Sequence, residues 1–237
     1  MAIKGILFDK DGTLLDYVAT WMPLNHKAAL AAAGGDRGLA DRLLAAGGYD
    51  AAAERVRAGS LLAAGTNREI AACWAELLPG CDLEDLARLV EQTFTEGGRH
   101  SATPVAELAP LLARLRARDL RLGVATSDSE AGAHATLAHF GVIELLDFLA
   151  GYDSGYAPKP SPNLVDGFCR ATGLEAAEVS VVGDNLHDLE MGRAAGAGLV
   201  VGVLTGTSEH GDLAPFADRV LESIVELEAL LDEIAAS

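Results

Sequence analysis

Two aspartates, Asp9 and Asp11, stand two apart in Phe8-Asp9-Lys10-Asp11-Gly12-Thr13-Leu14, directly after the apolar run from Ile3 to Phe8. In an extended continuation, residues two apart point to the same side. Carboxylates held that close are costly unless a cation or a shared proton offsets them. Gly12 then permits a tight exit. A second acidic pair follows another apolar run in Val182-Gly183-Asp184-Asn185-Leu186-His187-Asp188, with Asp184 and Asp188 one helical turn apart. Hard divalent cations take oxygen ligands, and Mg²⁺ is usually held by one or two carboxylates together with phosphate and water. Asp9, Asp184 and Asp188 could supply those oxygens.

Two further positions could serve an anionic substrate. Thr126 closes the run Arg121 to Ala125, and its hydroxyl and the N–H of Ser127 could hold a phosphate oxygen where a helix starts. Lys159 lies in Ala157-Pro158-Lys159-Pro160-Ser161-Pro162, where flanking prolines fix the backbone. The chain has only four lysines, so a pinned one stands out. Lys159 is the one counter-charge expected among the acids, while Lys10 is expected to point away from them, at the surface. Each signal also has a plain reading: an aspartate-rich turn, an N-capping Asp184 with a surface Asp188, a solvated loop lysine. His187 reads as exposed or as supporting a neighbour. Trp21 and Trp74 read as packing, and Arg55, Arg57 and Arg68 as solvated.

The acids follow runs that read as strands. Ile3 to Phe8, Arg121 to Ala125, Val179 to Val182 and Leu199 to Leu204 are apolar enough to be buried on both faces, as in a parallel sheet; Phe148 to Ala150 is a weaker fifth. Between them lie helical patterns. Leu108, Leu111, Leu112 and Leu115 keep helical spacing, Ser161-Pro162 opens a helix that Gly173 ends, and Val220, Ile224, Leu227 and Leu231 form a C-terminal stripe. Alternating strands and helices predict an α/β fold with its polar chemistry at the strands' carboxyl ends. One connection is too long: more than 100 residues separate Thr13 from Thr126, where a crossover needs about a dozen. Residues 17–98 are predicted to be a helical insertion, entered near Asp16 and left near Gly97-Gly98. It carries an Asp82-capped helix with Leu83, Leu86, Val90 and Phe94, and a capping-box pattern at Thr66 to Glu69.

Composition excludes several partners. The chain has 237 residues, half of them hydrophobic, yet no uncharged apolar run of about 18 residues to span a membrane. Its net charge of −17 disfavours nucleic acid and anionic membranes. A small phosphorylated metabolite is not excluded, because a metal and oriented donors reverse the local potential. Cys73, Cys81 and Cys169 are odd in number and fit no metal spacing. No export-signal pattern opens the chain, so reduced thiols and a cytoplasmic location are expected. Nothing in the pattern sets an oligomeric state.

Asp-x-Asp-Gly-Thr, a strand-ending Thr, a pinned Lys and Gly-Asp-x-x-x-Asp, in that order, resemble the haloacid dehalogenase superfamily. The continuation Glu190-Met191-Gly192-Arg193-Ala194-Ala195-Gly196 is similar too. The likeness covers residues 1–16 and about 100–237, and the insertion resembles the helical cap of that family's first type. It implies a Rossmann-like core with sheet order 5-4-1-2-3, residues 1–16 and 99–237 forming the core and 17–98 the cap. It implies Asp9 as nucleophile and Asp11 as general acid, then base. It further implies Thr126, Ser127 and Lys159 as phosphate holders. Mg²⁺ would be held by Asp9, Asp184 and the carbonyl of Asp11, with Asp188 ligating or supporting.

Within the superfamily, dehalogenases and phosphonatases replace the second aspartate, which Asp11 retains here. Mutases of the β-phosphoglucomutase kind usually carry an early cap His, where Trp21 and Asn25 stand. The resemblance therefore implies a phosphoglycolate phosphatase-like hydrolase of small phosphomonoesters. A sugar phosphomutase, and a non-catalytic protein that binds a phosphorylated effector, are the alternatives.

Overall fold

A computed structural model describes residues 2–236; of these, the side chains of residues 64, 96, 98, 99 and 100 lie outside the description. Two compact units divide the chain: residues 1–16 with 103–237, and Tyr17–Ala102.

The larger unit opens with strand β1 (Gly5–Phe8), all of it buried. The second unit then interrupts it. There, α1 (Tyr17–Ala32) and α2 (Arg37–Gly47) lead to the two-residue strands β2 (Tyr49–Asp50) and β3 (Arg55–Val56), which pair antiparallel. Then come α3 (Leu61–Ala64), α4 (Asn67–Ala75) and α5 (Leu83–Ser101). The Thr66 capping box opens α4, and Asp82 caps α5 through the N–H groups of Glu84 and Asp85. Leu86, Val90 and Phe94 recur every four residues on α5 and are buried with Leu43, Leu44, Ile70 and Trp74 in a core of this unit's own. Trp21 packs edge-on against Phe94. Arg68 forms an exposed ion pair with Glu84.

The exit from this unit lies later than the Gly97-Gly98 pair suggests. Helix α5 runs through both glycines to Ser101, because Gly97 serves packing rather than termination. A Cβ there would come within 2.1 Å of Leu24 Cδ2 on α1. The two crossings of the chain, Asp16 and Thr103, are joined by a 2.8 Å hydrogen bond from the Asp16 N–H to the Thr103 carbonyl.

The larger unit resumes with α6 (Leu108–Arg116), β4 (Arg121–Ala125), α7 (Glu130–His139), β5 (Phe148–Ala150), α8 (Asn163–Thr172) and β6 (Val179–Gly183). It ends with α9 (Leu186–Ala195), β7 (Leu199–Val203), α10 (His210–Leu213), β8 (Arg219–Leu221) and α11 (Leu227–Ala235). Pro162, not Ser161, occupies the N-cap of α8. The sheet is parallel, in the order β5-β4-β1-β6-β7-β8. Counted along this unit alone, that is 3-2-1-4-5-6: the expected arrangement read from its other edge, with one more strand outside β7. Val220, expected on a helical stripe, belongs to that edge strand, and only Ile224, Leu227 and Leu231 continue it as the buried face before and along α11.

Register sets the site. Phe8 lies opposite Val124 of β4 and Val182 of β6. The chain therefore leaves the sheet at Asp9, Thr126 and Asp184 at nearly one level, all at the carboxyl edge where α/β sheets place their ligands.

Candidate active site

Asp9 follows β1 directly, and its N–H donates to the Val182 carbonyl at 2.8 Å. Asp184 follows β6, and Asp188 lies in the first turn of α9. One carboxylate oxygen from each of Asp9, Asp184 and Asp188 lies within 4.8 Å of the others, and all three residues are buried. Asp188 is thus no surface residue. Asn185 is the N-cap of α9, and Asp188 closes its capping box by accepting the Asn185 N–H.

Lys159, from the loop after β5, reaches into this cluster. Its Nζ is 2.6 Å from Asp9 Oδ1 and 2.6 Å from Asp188 Oδ1. Burial works against its charge, but Asp188 and Asp9 outweigh burial and hold its proton firmly. Burial is also the largest influence on Asp9. It raises the carboxyl to about 7, with Asp188 and Asp11 adding to the rise and Lys159 opposing it. Asp184 is raised well above the ordinary carboxylate range by burial, then by Asp9 and Asp188.

Asp184 is gripped from two sides. Gly12 has φ +87°, a conformation that glycine adopts without strain, and a Cβ there would lie 2.5 Å from Asp184 Cγ. A Cβ on Gly206, in the loop after β7, would lie 1.8 Å from Asp184 Oδ2. That same oxygen accepts the Thr207 N–H at 3.2 Å, while the Thr205 hydroxyl donates to the Gly12 carbonyl at 2.7 Å. Asp184 Oδ1 is left buried without a hydrogen-bond donor among the described residues. A buried, orphaned carboxylate oxygen beside two more carboxylates is costly in a protein interior and suits a bound divalent cation. An all-oxygen donor set fits a hard cation such as Mg²⁺.

Thr126 is buried and hydrogen-bonded by its N–H to Ala150; its hydroxyl accepts the Asp128 N–H at 3.1 Å. Ser127 is exposed. Helix α7 starts only at Glu130, with Ser129 as N-cap, so Ser127 and Asp128 form a short bend before it.

Lys10 departs from expectation. It is buried rather than at the surface, with Nζ 2.6 Å from Asp11 Oδ2 and 3.4 Å from Asp128 Oδ2. Lys10 thus joins Lys159 as a buried cation at the site. Strand alternation fails to predict this because β1 ends at Phe8. Beyond Asp9 the backbone curls, with Leu14 and Leu15 donating to the Lys10 carbonyl and Gly12 donating to Leu15. Asp11 lies in that turn, outside the three-carboxylate cluster, facing Lys10. The Thr205-Gly206-Thr207 loop, which follows the apolar run Leu199 to Leu204, carried no sequence signal that marked it for the site.

The sequence matches the haloacid dehalogenase-like hydrolase family over residues 3–196, and the chain belongs to that family. It is a hydrolase whose curated relatives are named as phosphatases. An N-acetylmuramic acid 6-phosphate phosphatase of Pseudomonas aeruginosa is 27% identical over 83% of this chain and 80% of its own. A plasmid-borne phosphoglycolate phosphatase of Cupriavidus necator is 31% identical over 66% of this chain and 68% of its own. In fold, the solved structure of a predicted phosphoglycolate phosphatase from Haemophilus somnus superposes with a TM-score of 0.74, at 19% identity, over 96% of this chain and 97% of that one. Among the described residues, no helix is long and apolar enough to cross a membrane.

Proposed function

We propose that this chain is a Mg²⁺-dependent phosphomonoesterase that carries the phosphoryl group on Asp9. The observation that supports it best is the convergence of Asp9, Asp184 and Asp188 on one another and on Lys159, with Asp184 Oδ1 left unsatisfied. Asp9, Asp184 and the carbonyl of Asp11 would hold the cation, with Asp188 ligating or supporting. Bound there, it would neutralise the phosphoryl oxygens and the nucleophile together.

The chain's own residues then divide the work. Lys159 binds a phosphoryl oxygen and fixes one oxygen of Asp9, leaving the other for attack. Thr126 and Ser127 receive a second phosphoryl oxygen. Asp9 attacks phosphorus, and Asp11 protonates the leaving oxygen. Asp11 next takes a proton from the water that attacks the phospho-Asp9 intermediate. Splitting one displacement into two steps is the ordinary gain from a protein nucleophile. Positioning and charge stabilisation carry most of phosphoryl-transfer catalysis.

Substrates of this kind are small organic phosphates, phosphoglycolate or a short sugar phosphate among them. The inserted unit, residues 17–102, hangs on two crossings that begin five residues past Asp11 and are tied together at Asp16 and Thr103. Insertions hinged beside a catalytic strand can close as lids that exclude water and commit a bound substrate, and such closure would favour small substrates.

The decisive experiment quenches a single turnover in acid, reduces any aspartyl phosphate with borohydride, and examines the peptide containing Asp9 by mass spectrometry. Conversion of Asp9 to homoserine is expected, together with loss of turnover in EDTA and recovery with Mg²⁺. An Asp9 that stays unmodified at every quench time of a productive turnover means direct attack by water and ends the covalent reading.

A further inference from the structure

Lys10 is a costly residue to keep in the site. Its side chain is 2% exposed. A buried ammonium costs several kcal/mol unless it is well paired, and an apolar side chain would fill the same space without that cost. Burial favours its neutral form, but Asp11 and Asp128 outweigh burial and keep it charged. Both partners belong to the chemistry. Asp11 sits in a turn with a glycine at φ +87° beside it, and its side chain is partly exposed. Asp128 belongs to the loop after β4: its N–H donates to the Thr126 hydroxyl at 3.1 Å, and its Oδ1 accepts the Ser129 N–H at 2.7 Å. Lys10 therefore joins the Asp11 carboxylate to the loop that carries Thr126 and Ser127.

We propose that Lys10 is a positioning residue, which fixes the Asp11 carboxylate to the Thr126–Asp128 loop so that proton carrier and phosphate cradle are held as one unit. The inference rests on Asp11 as proton carrier. In the first step a bond forms from Asp9 to phosphorus as the bond to the leaving oxygen breaks, and the proton of Asp11 passes to that oxygen. Negative charge then appears on Asp11, 2.6 Å from the Lys10 ammonium. In the second step water attacks phosphorus, its proton passes to Asp11, and the bond to Asp9 breaks. A misplacement of about 1 Å at such a carrier costs on the order of 10²-fold.

The test compares leaving groups through kcat/KM, which reads only the steps up to formation of the phospho-enzyme. p-Nitrophenolate leaves without a proton; the alkoxide of phosphoglycolate or a sugar 6-phosphate does not. Lys10→Met is expected to lower kcat/KM for the alkyl phosphate by about 10²-fold and for p-nitrophenyl phosphate by less than about threefold. Its kcat on p-nitrophenyl phosphate falls too, with a burst of p-nitrophenolate, because the second step still needs Asp11. Lys10→Arg, which keeps the charge, is expected to recover most of the alkyl activity. A purely structural role would lower both substrates alike, and that result overturns the proposal. Asp11→Asn is the reference. If it too fails to discriminate between leaving groups, Asp11 is not the proton carrier and the error lies in the mechanism. If it discriminates and Lys10→Met does not, the error lies in Lys10 alone. Should Lys10→Met not fold, Asp128→Asn removes the second anchor at a partly exposed position. It must then show the same selectivity at about tenfold, and an equal effect on both substrates overturns the proposal.

Discussion

The ammonium of Lys159 lies 2.6 Å from Asp188 Oδ1 and the same distance from Asp9 Oδ1, so one lysine holds two of the three buried carboxylates. The loop that delivers it comes from beyond β5, whereas Asp9 and Asp188 come from β1 and α9. Lys159 is thus a structural tie between segments remote in sequence as well as a candidate phosphate ligand.

Removing that tie strands the acids. Lys159→Met is expected to destabilise the metal-free protein by about 3–5 kcal/mol at pH 7.5, the usual cost of leaving buried charge uncompensated. The loss should shrink at pH 5, where Asp9 and Asp184 take up protons instead, and shrink again in Mg²⁺. Urea unfolding with and without EDTA at the two pH values measures all of this. A midpoint within error of wild type in EDTA at pH 7.5 would mean that the pairs contribute nothing.

The carboxyls also set a pH dependence. Asp9 binds its proton more tightly in the folded protein, with its ordinary value of 3.8 raised to about 7, and Asp184 is raised as well. A folded-state value above the unfolded one means that the native state holds more protons in the window between them. Stability is therefore greatest below the unfolded value and is lost as pH rises toward the folded one, by roughly 1 kcal/mol per pH unit for each such proton. In EDTA the Tm is expected to fall from pH 5.5 to 7.5. In millimolar Mg²⁺ the fall should flatten, because the cation takes the place of the protons. The acidic surface also contributes to the slope, so the comparison is with Asp9→Asn, whose profile should be shallower. Parallel profiles for wild type and variant would remove Asp9 from the account.

The core strands were legible because burial on both faces writes itself as runs dominated by Val and Leu and broken only by small residues, as in Val179–Gly183 and Leu199–Val203. Strand β8 was not legible: it is a three-residue edge, Arg219–Leu221, with only one neighbour, and its Val220 fell into step with a helical stripe. The Gly97-Gly98 pair misled because glycine marks both chain breaks and close helix contacts, and only the neighbouring helix reveals which. At the site, residue types and order were enough to bring out Asp9, Lys159, Asp184 and Asp188. Lys10 was misread because a period-two rule was carried past the end of the strand into a turn. The grip on Asp184 from Gly206 and Thr207 was out of reach, since it depends on how closely two loops approach.

That grip gives the sharpest test of the metal reading. Gly206 has open backbone space only because it lacks a Cβ: the added carbon of Gly206→Ala would lie 1.8 Å from Asp184 Oδ2 and 2.4 Å from Asp184 Cβ. Asp184 must then shift, and its Thr207 hydrogen bond with it. Neighbours that orient a metal ligand typically change metal affinity by about 10–100-fold when altered, whereas overpacking costs about 1–3 kcal/mol of stability. Gly206→Ala is expected to remain folded in EDTA while its Mg²⁺ affinity, by calorimetric titration, falls within that range. Gly211→Ala is the control, since a Cβ there meets open space and should leave affinity unchanged. Wild-type Mg²⁺ affinity in a folded Gly206→Ala protein would mean that Asp184 does not ligate the cation.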